Sequence, residues 1–307
     1  MTSRATPVAP GIAYVDLDFL GRPNAIATAI VRASGAVALI DPGPSSCLHA
    51  LEMGLDGHGL RVADVTDVLL THIHLDHAGS TGTLVRRHPG IRVHVHERGA
   101  THLIDPAKLL ASATRLYGAD MDRLWGEFAA VPAASIVMLS GGERIQAGGR
   151  SFEVAYTPGH ASHHVSYFDR GSGVAFVGDV AGMCVDGGYV LPPTPPPDID
   201  LELWQSSVAQ LERWSPETMF LTHFGPAAPV RPHLQALLEH LEELAAIVRT
   251  SLREPGTDEE RARKFAERLR RELRRHMTES QVASYQASAP PDLLWLGLAR
   301  YWRKREG

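Results

Sequence analysis

Thr71-His72-Ile73-His74-Leu75-Asp76-His77 follows directly on the apolar run Val68-Leu69-Leu70. Four side chains able to bind a metal ion fall within six residues, at the exit of what reads as a short buried strand. Histidine is the commonest metal ligand, and carboxylate joins it where a hard or borderline divalent ion is held. Packing does not explain such a density, because each buried imidazole and carboxylate would need a partner of its own. The competing reading is a surface turn that is rich in histidine by chance. Further ligands arriving from other strand ends would decide between the two.

Three later stretches supply them. Thr157-Pro158-Gly159-His160, Gly178-Asp179 and Thr222-His223-Phe224-Gly225 each place one ligand-type residue just after an apolar, strand-like run. Singly, a histidine or aspartate there reads as a turn or cap residue. Jointly, four such sites point to one rim, because strand ends in layered α/β folds converge on a shared edge.

Around these sites the periodicities predict strands over 12–19, 25–32 and 36–40, the last ending at the breaker Asp41-Pro42-Gly43-Pro44. Ser45 or Ser46 would cap a helix running to Met53; a helix is expected over 78–87 and a strand over 91–96. Between 98 and 130, Leu103, Leu109, Leu110, Leu116, Tyr117, Met121, Leu124, Trp125 and Phe128 recur at helical intervals, which predicts two or three inserted helices. Strands are expected over 145–156, 164–168, 174–177 and 218–222, and a helix over 201–214. Five prolines within 192–197 require an extended loop. Beyond Pro232 the pattern is helical. One apolar stripe runs through Leu234, Leu241 and Val248. A Thr257/Glu260 capping box opens a second helix, and Pro290-Pro291-Asp292 opens a third. The expected organisation is a mixed α/β unit over 1–226, with its helical insertion at about 98–130, followed by a helical region over 227–307.

The 307-residue chain has 44% hydrophobic and 21% charged residues, which fits an ordinary globular enzyme with ample core. A net charge of -5 and the absence of a basic patch predict no nucleic-acid partner. No run reaches the roughly 18 apolar residues of a membrane span, so no membrane partner is expected. Only Cys47 and Cys184 occur, which makes no disulfide framework, and residues 1–11 lack an apolar leader region. A cytoplasmic location is the expectation.

The motifs taken together resemble the metallo-β-lactamase fold superfamily. Its signature is His-x-His-x-Asp-His, then a distant histidine in a Pro-Gly-His setting, then Asp, then a last His. Here these are His72, His74, Asp76 and His77, then His160, Asp179 and His223, in that order. Its early strand-end aspartate matches Asp41-Pro42-Gly43. The resemblance spans about residues 12–226 and implies an αββα sandwich with the site at one edge of two sheets.

It also implies that His72, His74 and His160 bind one metal ion, that Asp76, His77 and His223 bind a second, and that Asp179 bridges them. Three neutral imidazoles suit zinc, while the more carboxylate-rich set suits zinc, manganese or iron. Two ions about 3.5–4 Å apart would share a water and lower its pKa from about 15.7 to roughly 7, providing a hydroxide nucleophile. Asp76 is expected to orient that nucleophile and pass a proton to the leaving group. Asp41 is expected to anchor the histidine loop by hydrogen bonds rather than to touch metal. Other histidines receive plainer readings: His164 opens a strand, and His94, His96 and His102 sit in solvent or core. For Tyr117, Tyr156, Tyr167 and Tyr189, core packing is expected over a hydrogen bond to substrate.

Thr-His-x-His-x-Asp-His-Ala-Gly and Thr-Pro-Gly-His-x-Ser-x-His look most like the glyoxalase II branch, which implies hydrolysis of a thioester of a small-molecule substrate. The branch differs in its His-Glu-Tyr setting for the last ligand, where this chain has His223-Phe224-Gly225-Pro226. A lactonase of the acyl-homoserine-lactone type shares the motif and is the alternative. An iron-dependent persulfide dioxygenase, using His72, His160 and Asp179, is a third. The apolar residues of the insertion and the C-terminal helices are expected to border the pocket; they could equally serve a homodimer.

Overall fold

The computed structural model describes residues 6–306; Met1 to Ala5, the start of the stretch read above for a leader, and Gly307 lie outside the described residues. Two sheets face each other. The first takes its seven strands in chain order: β1 (Thr6–Ala9), β2 (Ile12–Asp16), β3 (Ala27–Ala33), β4 (Ala36–Ile40), β5 (Val65–Leu69), β6 (Arg92–His96) and β7 (Ile136–Leu139). It is antiparallel up to β4 and parallel from β4 to β7. The second comprises β8 (Arg144–Ala147), β9 (Arg150–Tyr156), β10 (Val165–Asp169), β11 (Val174–Phe176), β12 (Thr218–Leu221) and β13 (Gly225–Ala227), ordered β13-β12-β11-β10-β9-β8.

Strand alternation builds the layers. In β4, Ala38 and Ile40 face the second sheet, where they meet a core containing Phe152, Tyr167 and Phe220, while Val37 and Leu39 face outward. Because helices cover the outer faces too, both sets are apolar, and the strands read as near-continuous hydrophobic runs. Outside the first sheet lie α1 (Leu48–Asp56), α2 (Leu75–Ala78), α3 (Thr81–Arg87) and the insertion, which forms α4 (Glu97–Ile104), α5 (Ala107–Tyr117) and α6 (Met121–Trp125). Outside the second lie α7 (Leu201–Trp214), α8 (Val230–Ser251), α9 (Asp258–His276), α10 (Glu279–Ser288) and α11 (Pro291–Glu306). Leu237, Leu269 and Trp295 of these helices share one apolar cluster with Val177 and Leu221. This is the αββα sandwich with C-terminal helices. Among the described residues, no helix is long and apolar enough to cross a membrane.

Several expected elements are corrected. The run over 145–156 is a hairpin rather than one strand: Gly148 and Gly149, at φ +54 and +73, turn the chain between β8 and β9. A Cβ on Gly149 would lie 2.1 Å from the Ala33 carbonyl oxygen, so the turn also needs glycine for close approach. The helix expected over 78–87 is two pieces, α2 and α3, and α2 carries Asp76 and His77. Strands β1, β7 and β13 and helix α10 are additional to the elements expected from the sequence.

Candidate metal centre

Every candidate site residue lies on a segment leaving the C-terminal end of a strand: Asp41 after β4, the 71–77 stretch after β5, His160 after β9, Asp179 after β11 and His223 after β12. The structure brings them together. His72, His74 and His160 offer ligand atoms within 4.8 Å of one another, as do Asp76, His77 and His223, and as do His72, His77 and Asp179. Asp179 stands between the two triads. Its Oδ2 is 3.4 Å from His160 Nε2, and its Oδ1 is 3.2 Å from His77 Nε2 and 3.6 Å from His223 Nε2.

Each imidazole is oriented from behind. His160 Nδ1 donates to the Pro193 carbonyl at 2.8 Å and His223 Nδ1 to the Ala25 carbonyl at 2.7 Å. His77 Nδ1 donates to Asp41 Oδ2 at 2.8 Å. His72 Nδ1 lies 3.1 Å from Thr71 Oγ1, whose own proton goes to Asp41 Oδ2 at 2.7 Å, so the hydroxyl accepts from the ring. These bonds place a proton on Nδ1 and leave Nε2 of all four rings as a lone pair facing the centre. His74 turns its Nδ1 inward, 3.0 Å from the Nε2 atoms of both His72 and His160.

Asp41 does not join either triad. It is fully buried and receives Thr71 N–H at 2.8 Å, the Thr71 and Thr222 hydroxyls at 2.7 and 2.8 Å, and His77. It thereby ties the ends of β4, β5 and β12 together beneath the site. Sequence reading missed the two threonines. Their signal was the repeated Thr-His pair, Thr71-His72 and Thr222-His223.

The donor set fits a divalent cation. Three imidazole lone pairs converge at 3.0 Å, where at most one proton could be shared, and His77 Nε2 and Asp179 Oδ1 are buried without a hydrogen-bond partner. Buried polar atoms of this kind ask for an ion. Burial and the neighbouring imidazoles hold His72 well below the usual histidine range, and burial with His160 brings His74 to about 4, so both are neutral, as ligands must be. Burial also acts against charge on His77 and His223, but the Asp179 carboxylate and its neighbours outweigh it and raise both. Asp179 feels the reciprocal effect: burial opposes its ionisation, and His77, His223 and His160 overcome that and hold it far below the ordinary carboxylate range.

The centre forms the floor of a cavity of about 410 Å³. Its walls come from the insertion (Arg98, His102, Leu109, Leu116, Tyr117, Trp125), from the loop 193–198, and from the α10–α11 junction (Ser288, Leu293, Leu294). His102 is therefore on the cavity wall rather than in solvent or core, and His163 lines it as well. His164 stays beneath the site, with its Nδ1 2.9 Å from Thr157 Oγ1.

The chain has relatives among known proteins. A family model described as the metallo-beta-lactamase superfamily matches residues 21–223. A metallo-beta-lactamase fold-containing protein of Sulfurisphaera tokodaii is 29% identical over 181 residues, covering 57% of this chain and 67% of that one. A hydroxyacylglutathione hydrolase of Stenotrophomonas maltophilia is 31% identical over 140 residues, covering 45% of this chain and 39% of that one. The chain spans less than half the length of this relative and of its Legionella pneumophila counterpart. Among solved structures, a metallo-beta-lactamase family protein of Thermus thermophilus superposes with a TM-score of 0.71 at 23% identity, covering 97% of this chain and 94% of that one. At that identity the likeness shows the fold alone.

Proposed function

The chain belongs to the metallo-beta-lactamase superfamily of metallohydrolases, and we propose that it hydrolyses a small acyl thioester or ester at a dinuclear metal centre. The observation that carries this reading is the pair of triads joined through the two oxygens of Asp179. In it, His72, His74 and His160 hold one ion, Asp76, His77 and His223 the other, and Asp179 both; zinc suits the donor set best. Bound there, two divalent ions supply Lewis acidity and acidify water at neutral pH.

The chain's own residues do the rest. Asp41, Pro193 and Ala25 fix the tautomers of His77, His160 and His223, and Thr71 that of His72, which keeps four Nε2 atoms available. Asp76 lies 3.4 Å from His223 Nε2 and 3.8 Å from His77 Nε2, and is also part of the cavity wall. It is the one carboxylate of the second triad open to substrate, and it is placed to take a proton from the attacking water and return it to the leaving group. No serine, cysteine or lysine nucleophile is required.

The thioester preference is supported by motif wording and by the hydroxyacylglutathione hydrolase relatives. A lactone is the second reading, favoured by the apolar walls Leu109, Leu116, Leu293 and Leu294, which suit an alkyl chain better than a charged tripeptide. A panel of thioesters, lactones and phosphoesters offered to zinc-, manganese- and iron-loaded protein tests the proposal. Turnover of a thioester or lactone, abolished in Asp179→Asn, is expected; turnover confined to phosphoesters contradicts it.

A further inference from the structure

In each triad one histidine ring is steered by a main-chain carbonyl: Pro193 for His160 at 2.8 Å and Ala25 for His223 at 2.7 Å. A carbonyl steers a ring only as firmly as it is itself held. Both of these lie on connecting segments outside the two sheets, so sheet hydrogen bonding does not hold them.

The Pro193 segment is the weaker by sequence. Five of the six residues 192–197 are prolines, which have no N–H, and Thr194 alone keeps one. Helix α11 fixes this loop instead. The fully buried Thr194 hydroxyl donates to the Leu294 carbonyl at 3.1 Å, and Arg300 Nε donates to the Pro197 carbonyl at 3.2 Å. A Cβ on Gly297 would lie 2.0 Å from the Thr194 carbonyl oxygen, so α11 has glycine where the loop comes down on it.

Helix α10 fixes the other segment. Ser284 and Ser288 stand four residues apart, on one helical face. Ser284 donates to the Pro23 carbonyl at 2.9 Å and Ser288 to the Ala25 carbonyl at 3.1 Å. The Ala25 oxygen therefore accepts from both Ser288 and His223, which its two lone pairs allow. Serine is a poorer helix former than alanine, so helix formation does not account for this pair. The helix is anchored in turn by Tyr285, which is 1% exposed and whose hydroxyl donates to the Tyr189 carbonyl at 2.8 Å.

We propose that Ser288 and Thr194 are positioning residues through which the C-terminal helices hold one ligand of each ion. Ser288 acts through Ala25 on His223, and Thr194 acts through the proline loop and Pro193 on His160. Helices α10 and α11 are then part of the metal centre's support as well as of the cavity wall. This rests on the dinuclear reading above but not on hydrolysis, because zinc binding is read without substrate.

The test strips the full chain of metal, returns zinc, and reads the two stepwise affinities by competition with chromophoric chelators of graded strength. Ser288→Ala and Thr194→Val are each expected to weaken one step by about 3- to 10-fold, the worth of one neutral hydrogen bond. They should weaken different steps, and the double variant both. Ser288→Thr and Thr194→Ser, which keep the hydroxyl, should stay near the wild type. A merely structural role would lower the melting temperature of the metal-free variants and leave both zinc steps in place; that result overturns the proposal, as does weakening of the same step by both variants. Fewer than two ions in the wild type would defeat the dinuclear reading and this inference with it. Two ions with the expected losses but no thioester or lactone turnover would defeat the hydrolase reading alone.

Discussion

Asp41→Asn is the perturbation that separates the centre from its support. Asp41 sits at φ +49, a left-handed conformation that asparagine adopts as readily as aspartate, so the backbone tolerates the change. The side chain does not. In one amide orientation the NH2 group faces Thr71 N–H, now 2.8 Å from Oδ1, and a buried donor loses its acceptor. In the other it faces His77 Nδ1, 2.8 Å from Oδ2, while the Thr71 and Thr222 hydroxyls can rotate to accept. His77 must then shift its proton to Nε2, the atom that faces Asp179 at 3.2 Å. The second orientation asks the three groups around Oδ2 to share two amide hydrogens, so either orientation leaves one buried group unpaired, at a cost of about 1–3 kcal/mol. At roughly 2–4 °C per kcal/mol for larger domains, the metal-free variant should melt about 2–12 °C below the wild type. Loss of such an orienting partner also lowers metal affinity about 10- to 100-fold. Thermal melts of chelated protein and zinc competition against a chromophoric chelator measure the two effects separately. A melting temperature within about 1 °C of the wild type together with unchanged zinc affinity would refute the role given to Asp41.

Other outcomes follow from residues away from the centre. Asp67 is buried, which opposes its ionisation, but bonds from His94, Thr66 and Gly148 and the charge of Arg92 outweigh this and lower its pKa. A depressed carboxylate stabilises above the unfolded value near about 4 and loses that contribution as pH falls through the folded value. Asp67→Asn should therefore cost about 1–3 kcal/mol at neutral pH, and the gap in melting temperature should close below about pH 4. Gly297→Ala adds a good helix former to α11, worth about 1 kcal/mol, but its Cβ would lie 2.0 Å from the Thr194 carbonyl oxygen. We expect net destabilisation of about 1–3 kcal/mol in denaturant melts, with a raised KM because the adjoining 193–197 loop lines the cavity. In Thr222→Val, Asp41 loses one of its four donors; the melting temperature should drop while zinc affinity falls less than in Asp41→Asn.

Much of the centre was legible in the sequence because metal ligands are few in kind and must follow strand ends. His72, His74, Asp76, His77, His160, Asp179 and His223 could be picked out as ligand-type residues, and the fold follows from the same order of strands. Less legible was whatever depends on how distant segments fold back. Helix α10 has no apolar stripe, yet Val282 and Tyr285 are buried, and the Tyr285 hydroxyl donates to the Tyr189 carbonyl at 2.8 Å and accepts from Val185 N–H at 2.9 Å. Strand β1 is short and largely exposed, so it carries little hydrophobic signal. Gly148-Gly149 is a readable hairpin signal, flanked by Gln146, Arg150 and Ser151. Tyr117, Trp125 and His102 reach the cavity only because the insertion and the α10–α11 junction come to one cavity from distant parts of the chain, which no local pattern encodes.

Two triads sharing Asp179 should hold two ions, and the most direct test is metal stoichiometry by mass spectrometry on protein stripped and reloaded with zinc. About two ions per chain are expected in the wild type, with thioester or lactone turnover appearing on reloading, and a loss of bound metal in both His160→Ala and His223→Ala. A single ion per chain that His223→Ala leaves in place would contradict it, as would one iron per chain with oxygen consumption on a persulfide.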